Sequence, residues 1–267
     1  MLRYFTCPDG VKREVAECLA KCQIKEGRCL SLPTLTHIGY TRTFKGSFST
    51  TQLLNPTRLE YLQLTKPFTV DPFDNAFSLL GTRHHQMLEA VAKKIEGLEP
   101  EKYLKGDTTG ILDLLEPLDD NCYRLIDYKT FGSYAVAKLL GLKENGDYDK
   151  YKLALQLNNY RVLVREIGFD VTEIYAQVTV RDGNTVSSKK NRVMANLYLI
   201  PVEIMPDDQI KEYFLSKAYA LQTALDTGIT ELCNYEERWG GRRCKGYCSV
   251  AEFCPEGARV NKVALEK

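Results

Sequence analysis

The stretch GILDLLEPLDDNCYRLIDYKT, residues 110–130, constrains the fold more than any other. Two alternating runs, Ile111 to Leu115 and Cys122 to Thr130, flank a breaker cluster of Pro117, Asp119, Asp120 and Asn121, which predicts a strand, a loop and a strand. Reflection through Asp120 lands Asp113 on Asp127, so a simple antiparallel register sets the two carboxylates opposite each other, about 5 Å apart at Cβ. The two-residue period of a strand puts Lys129 on the face of Asp127. Two acids and an ammonium on one face suit a divalent cation and the phosphate it activates. On that reading Asp113 and Asp127 bind Mg²⁺ or Mn²⁺, with the main-chain carbonyl of Tyr128 completing the set. Lys129 then positions or deprotonates the attacking water and counters charge developing on the phosphate. A surface hairpin with ordinary charges is the alternative, and Cys122 within it reads as a small packing residue.

The rest of the chain supports a sizeable core, with 267 residues of which 44% are hydrophobic. The formal net charge of +1 gives no global field for nucleic acid, so a DNA-binding surface has to be a local patch. The apolar runs are too short to span a bilayer, and the opening MLRYFTCPDG has no apolar leader core, so the expected location is the cytoplasm, away from membranes.

Eight of the nine cysteines form two groups, Cys7, Cys18, Cys22 and Cys29 near the start and Cys233, Cys244, Cys248 and Cys254 near the end. In each group ten residues and then three separate successive members, which are followed by six in the first group and five in the second. In a reducing compartment such groups predict metal ligands, and four thiolates satisfy either tetrahedral Zn²⁺ or a [4Fe–4S] cluster. Two local sites, one shared site and a mixture of the two metals all remain open. The arrangement favoured here is a [4Fe–4S] or zinc site on the second group and a separate zinc-like site on the first. Around the second group, Arg238, Trp239, Arg242, Arg243, Lys245 and Tyr247 combine cations and rings in a way that can track a phosphate backbone and stack unpaired bases. A solvated charged loop is the alternative.

Helical spacing predicts helices over 11–21, the middle of the first thirty residues, over 49–62 capped by Ser49, Thr50 or Thr51, over 75–97 after Asp74, and over 133–142, 151–167 and 207–226. Strands are expected over 102–108, 171–181 and 197–205, while 31–48 and 187–192 read as connections. The sum is an α/β layer arrangement with helices on both sides of a short mixed sheet.

Five pieces in this order resemble the RecB-like branch of the PD-(D/E)XK nucleases, including CRISPR-associated and helicase-associated exonucleases. They are Ser-Thr-Thr-Gln-Leu-Leu-Asn-Pro at 49–56; Gly81 to His85 with Leu88 and Glu89; Gly110 to Asp113; Asp127-Tyr128-Lys129-Thr130; and Gln156 with Tyr160, one turn apart on a helix. The resemblance covers about residues 48–170 and implies a restriction-endonuclease-like core. It implies that His85, Asp113 and Asp127 are metal ligands, that Lys129 is catalytic, and that Gln156 and Tyr160 lie beside the active site and DNA, with His84 a packing or solvent-facing neighbour. Iron–sulfur members of that branch use one upstream cysteine and a closing trio. Cys244, Cys248 and Cys254 match the trio, while the upstream position near Asn55-Pro56-Thr57 has no cysteine.

The expected organisation is a cysteine-rich metal-binding segment over 1–40, a nuclease core over 41–232 and a cysteine-rich cap over 233–267. The expected activity is metal-dependent DNA cleavage by an exonuclease working on ends or single strands, with a helicase, CRISPR or repair protein as the kind of partner. RNA cleavage, endonucleolytic nicking and a non-catalytic nucleic-acid-binding module remain as rivals.

Overall fold

The hairpin forms as its alternation predicts. In a computed structural model that describes residues 1–24, 27–41, 46–118, 121–144 and 146–265, with side chains to residue 261, it is the centre of a five-stranded sheet. Strand β5 (Thr109–Pro117) pairs antiparallel with β6 (Cys122–Phe131), in a register that sets Leu114 against Ile126 and Leu115 against Leu125. The paired register ends at Leu114 and Ile126, one residue short of Asp113 and Asp127. Asn121 closes the turn at a positive φ of 65°, a conformation asparagine tolerates well; Asp119 and Asp120 lie outside the described residues.

The full order is β4 (Glu99–Lys105), β5, β6, β7 (Asp170–Val180) and β8 (Leu197–Pro201). Only β6 and β7 run parallel, and the long connection that parallel pairing requires holds α6 (Ser133–Leu139) and α7 (Asp147–Glu166). The chain divides into two compact units. This sheet belongs to the unit made of 47–54 and 80–216, and the other unit contains 1–46, 55–79 and 217–267.

In the sheet unit, Leu157, Tyr160, Leu163 and Val164 of α7 pack with Leu112, Leu115, Leu125, Ile174, Ala176 and Val178 in the main core. Helix α5 (Phe77–Ala92) contributes Leu88 and Ala92 to a smaller cluster with Leu114, Ile126 and Tyr128. Leu112 and Leu114 should share a face, yet they enter different clusters, so the strand changes face at Asp113. Much of the apolar side of α5 is uncovered, with Phe77, Leu80, Met87 and Val91 exposed.

A buried polar knot ties the short helix α3 (Thr50–Leu53) to this core. Ser49 and Gln52 form a reciprocal capping box, and Asn159 Nδ2 donates to Thr50 Oγ1 and Thr108 Oγ1, both at 2.8 Å. The single helix expected over 49–62 is therefore two, because Pro56 lacks an amide hydrogen and disfavours helical geometry at the residue before it. The second helix is α4 (Thr57–Thr65). Residues expected as connections also fold locally: Leu32–Gly39 is a helix with Pro33 in its first turn, and Val186–Lys190 is a helical turn capped by Thr185. Among the described residues no helix is long and apolar enough to cross a membrane.

The other unit holds a small sheet in which Leu2–Thr6 pairs antiparallel with Lys12–Glu14 and parallel with Phe68–Val70. Phe5, Cys18, Leu35 and Ile38 form one of its cores, and Leu59, Leu62 and Val250 another. Its C-terminal part consists of short turns and the helix Pro255–Leu265.

Candidate active site

The residues singled out by the hairpin argument converge at the end of the β5–β6 ladder. Asp113 accepts from the Tyr128 amide through Oδ2 at 2.7 Å, and its Oδ1 lies 3.0 Å from His85 Nδ1. That contact fixes the imidazole: the carboxylate accepts, so Nδ1 carries the hydrogen and Nε2 of the neutral ring is left as an acceptor. The hydrogen bond to Asp113 raises the His85 pKa against the opposing effect of burial.

Asp127 and Lys129, two residues apart on β6, form an ion pair with Nζ 2.5 Å from Oδ2. Burial pushes the Asp127 carboxyl up, and Lys129 pulls in the opposite direction. Burial alone would lower Lys129, but the charge of Asp127, its hydrogen bond and the charge of Asp113 outweigh it and leave the lysine raised. Lys129 therefore rests as an ammonium, a source of positive charge and a poor proton acceptor.

Tyr160 reaches the same place from α7. Gln156 Nε2 donates to its Oη at 3.2 Å, and burial raises its phenol. Gly110 makes this approach feasible, because a Cβ there would stand 2.4 Å from Tyr160 Cε1. His84 turns to β7, its Nε2 3.0 Å from Thr179 Oγ1, and burial lowers its pKa.

Glu101 was missed by the sequence reading. It lies on β4 between the pairs Pro100–Leu114 and Lys102–Leu112, hence across from Asp113, and holds a left-handed φ of 39°. Burial first, then Glu89 and Asp113, raise its carboxyl. Only the strand register reveals it, since nothing in the local pattern Glu-Pro-Glu-Lys marks a site.

The expected metals are not supported. Among the described residues no group of three or more His, Cys, Asp or Glu side chains is placed to hold a metal ion. This overturns the Mg²⁺ or Mn²⁺ seat on His85, Asp113, Asp127 and the Tyr128 carbonyl. Asp113 spends its oxygens on His85 and the Tyr128 amide, and the Lys129 ammonium occupies the cation's place beside Asp127.

It also overturns [4Fe–4S] or Zn²⁺ at Cys233, Cys244, Cys248 and Cys254 and at Cys7, Cys18, Cys22 and Cys29. All are free cysteines. Burial pushes the Cys233 thiol up to about 11 and raises those of Cys18, Cys244 and Cys248. Cys254 Sγ accepts from Arg58 Nε at 3.3 Å, and Cys22 Sγ contacts the Gly27 carbonyl at 3.6 Å. Cys7 and Cys18 are buried.

Two of the candidate DNA-contacting cations are engaged inside their own unit. Arg238 Nη1 pairs with Glu256 at 2.7 Å, and the Arg243 guanidinium lies 4.9 Å from the Trp239 ring centroid while donating to the Glu237 carbonyl. Trp239, Arg242 and Lys245 are exposed.

A mixed sheet carrying an acid, an acid–any–lysine strand and a helix-borne histidine defines a nuclease-type α/β core. The model of the PD-(D/E)XK nuclease superfamily matches residues 95–255, more than half the chain, and the protein belongs to that superfamily. Its fold is also similar to the crystal structure of SSO0001, at 18% identity and a TM-score of 0.45, over 83% of this chain and 91% of that one. No curated protein matches the sequence.

Proposed function

We propose that the protein is a deoxyribonuclease that hydrolyses phosphodiester bonds at DNA ends or in single strands. Membership of a nuclease superfamily supports nucleic-acid cleavage in general. The observation that carries the finer reading is the Asp127–Lys129 ion pair set beside the Asp113–His85 hydrogen bond.

In this reading the Lys129 ammonium draws the scissile phosphate to the strand end and offsets the charge that builds on its oxygens. The water that attacks phosphorus gives its proton to His85 Nε2, with Asp113 holding the ring. The bond from phosphorus to the leaving sugar oxygen breaks, and that oxygen takes a proton from solvent. His85 fits the accepting role better than the carboxylates, because its side chain is 30% exposed while those of Asp113 and Asp127 are 9% and 3% exposed. Gln156 and Tyr160 flank the phosphate-binding side and position the strand.

The test is cleavage of end-labelled single- and double-stranded DNA and of a closed circle, with and without added Mg²⁺, by the parent and by Lys129→Ala. The expected result is release of short products from the linear substrates by the parent and their loss in the variant. Equal cleavage by both proteins overturns the assignment. Cutting of the circle overturns the exonuclease part alone.

A further inference from the structure

The C-terminal part of the second unit presents its aromatic side chains in a way that packing does not require. Trp239, the only tryptophan of the chain, adopts a left-handed φ of 52°, and Gly240 and Gly241 follow at 63° and 97°. A tryptophan is rarely held there, because its Cβ crowds the backbone; such an outlier points to a presented side chain. Its ring stands 5.6 Å from that of Tyr247 at an interplanar angle of 60°, and the Arg243 guanidinium lies over it. Tyr235 rests against the same turn: a Cβ on Gly240 would meet its Oη at 3.0 Å.

All three rings are exposed, Tyr247 to 73%. Two exposed cations, Arg242 and Lys245, stand on the short helix Arg242–Gly246 between Trp239 and Tyr247 in the chain. The neighbouring acids are largely balanced, since Glu256 pairs with Arg238 and Arg259 and Glu237 pairs with Lys217, while Glu236 is exposed.

We infer that Tyr235, Trp239 and Tyr247, with Arg242 and Lys245, form a ledge that stacks the bases of single-stranded DNA and neutralises its phosphates. Exposed ring faces match unpaired bases, whose faces are open, and the adjoining cations match the backbone charge. Duplex bases are already stacked on each other, so the ledge selects single strands. Naming DNA as the polymer rests on the proposed function; the stacking itself does not. The ledge supplies affinity and no chemistry, which makes it separable from the hydrolytic residues.

Trp239 is its own reporter. The full chain carrying Asp113→Asn, to hold back hydrolysis, is titrated with an oligothymidylate of about 15 nucleotides while tryptophan emission and the anisotropy of labelled DNA are followed. Saturable quenching is expected with the single strand and none with a duplex. Tyr247→Ala in that background weakens binding about tenfold and Tyr247→Phe preserves it, with melting curves confirming that both fold. Arg242→Gln and Lys245→Gln each lower the slope of log affinity against log salt by about 0.7.

DNA binding without quenching, no binding at all, or a Tyr247→Ala protein that binds like its parent overturns the inference. Tighter binding to oligouridylate overturns the choice of DNA. Quenching by a protein whose parent form cuts nothing leaves the ledge standing and removes the nuclease reading; cleavage without quenching does the reverse.

Discussion

At the scale of single residues, the site depends on groups that hold each other's charge. Lys129→Ala leaves Asp127 buried without its counter-ion, and Asp127 then has reason to take up a proton. The expected outcome is a fall in cleavage rate of about a hundredfold or more together with a loss of about 3 kcal/mol in stability. Adding Asp127→Asn should return part of the stability and none of the activity, as urea melts and initial rates on labelled DNA will show. Gly110→Ala is the complementary probe. Its methyl would press on the buried ring of Tyr160, so the variant should lose about 1–3 kcal/mol by overpacking. A melt unchanged from the parent would mean that Tyr160 moves aside freely.

At the scale of elements, two ties hold helices to the sheet. Asn159 joins α3 to the turn between β4 and β5 through buried Thr50 and Thr108. Asn159→Leu removes the donor both hydroxyls share and leaves them only their longer bonds to each other and from Thr50 to the Thr109 carbonyl, an expected cost of about 1 kcal/mol. The second tie is Asp182, which follows β7 and caps the start of α6. It accepts from the Ser133 amide and hydroxyl, each at 2.6 Å, and these bonds lower its pKa. A depressed carboxylate adds stability above its unfolded pKa of about 3.9 and loses it as pH falls through the lower folded value. Asp182→Asn should therefore melt earlier than the parent at pH 7, by about 1 kcal/mol, with the gap closing in acid. A gap that persists in acid would assign the loss to shape rather than charge.

Much of this architecture could be read from local pattern. The hairpin emerged because alternation and breakers are local properties, and α7 because its apolar residues run for five turns. What local pattern does not contain is who pairs with whom across a long connection. The parallel β6–β7 pairing, the change of face at Asp113 and the position of Glu101 opposite it were invisible for that reason. Residues 32–39 were misread because Pro33 and Gly39 suggest a loop, whereas proline in a first turn and glycine at a helix end are both compatible with a helix.

At the scale of the whole molecule, the superfamily match over residues 95–255 takes in most of the sheet unit and, from residue 217 on, part of the other unit, which holds both cysteine groups. That Asp113, Asp127 and Lys129 lie close together was legible because strand period and hairpin register are local properties. The cysteines misled because spacing along a chain says nothing of where the sulfur atoms point, and among the described residues they do not gather into a ligand group. With packing as their role, Cys248→Ser should cost stability by placing a hydroxyl beside Leu59, Leu62 and Val250. Cys248→Ala should cost less, and thermal melts of the two variants will rank them.

The central claim, that the Asp127–Lys129 pair beside Asp113 and His85 cuts DNA, is met most directly by one comparison. Parent, Lys129→Ala and His85→Asn proteins, each verified as folded, are incubated with end-labelled single-stranded DNA and products are resolved by length. Short products are expected from the parent and intact substrate with both variants over the same time. Products of equal yield from all three, or none from the parent on any DNA, would contradict it.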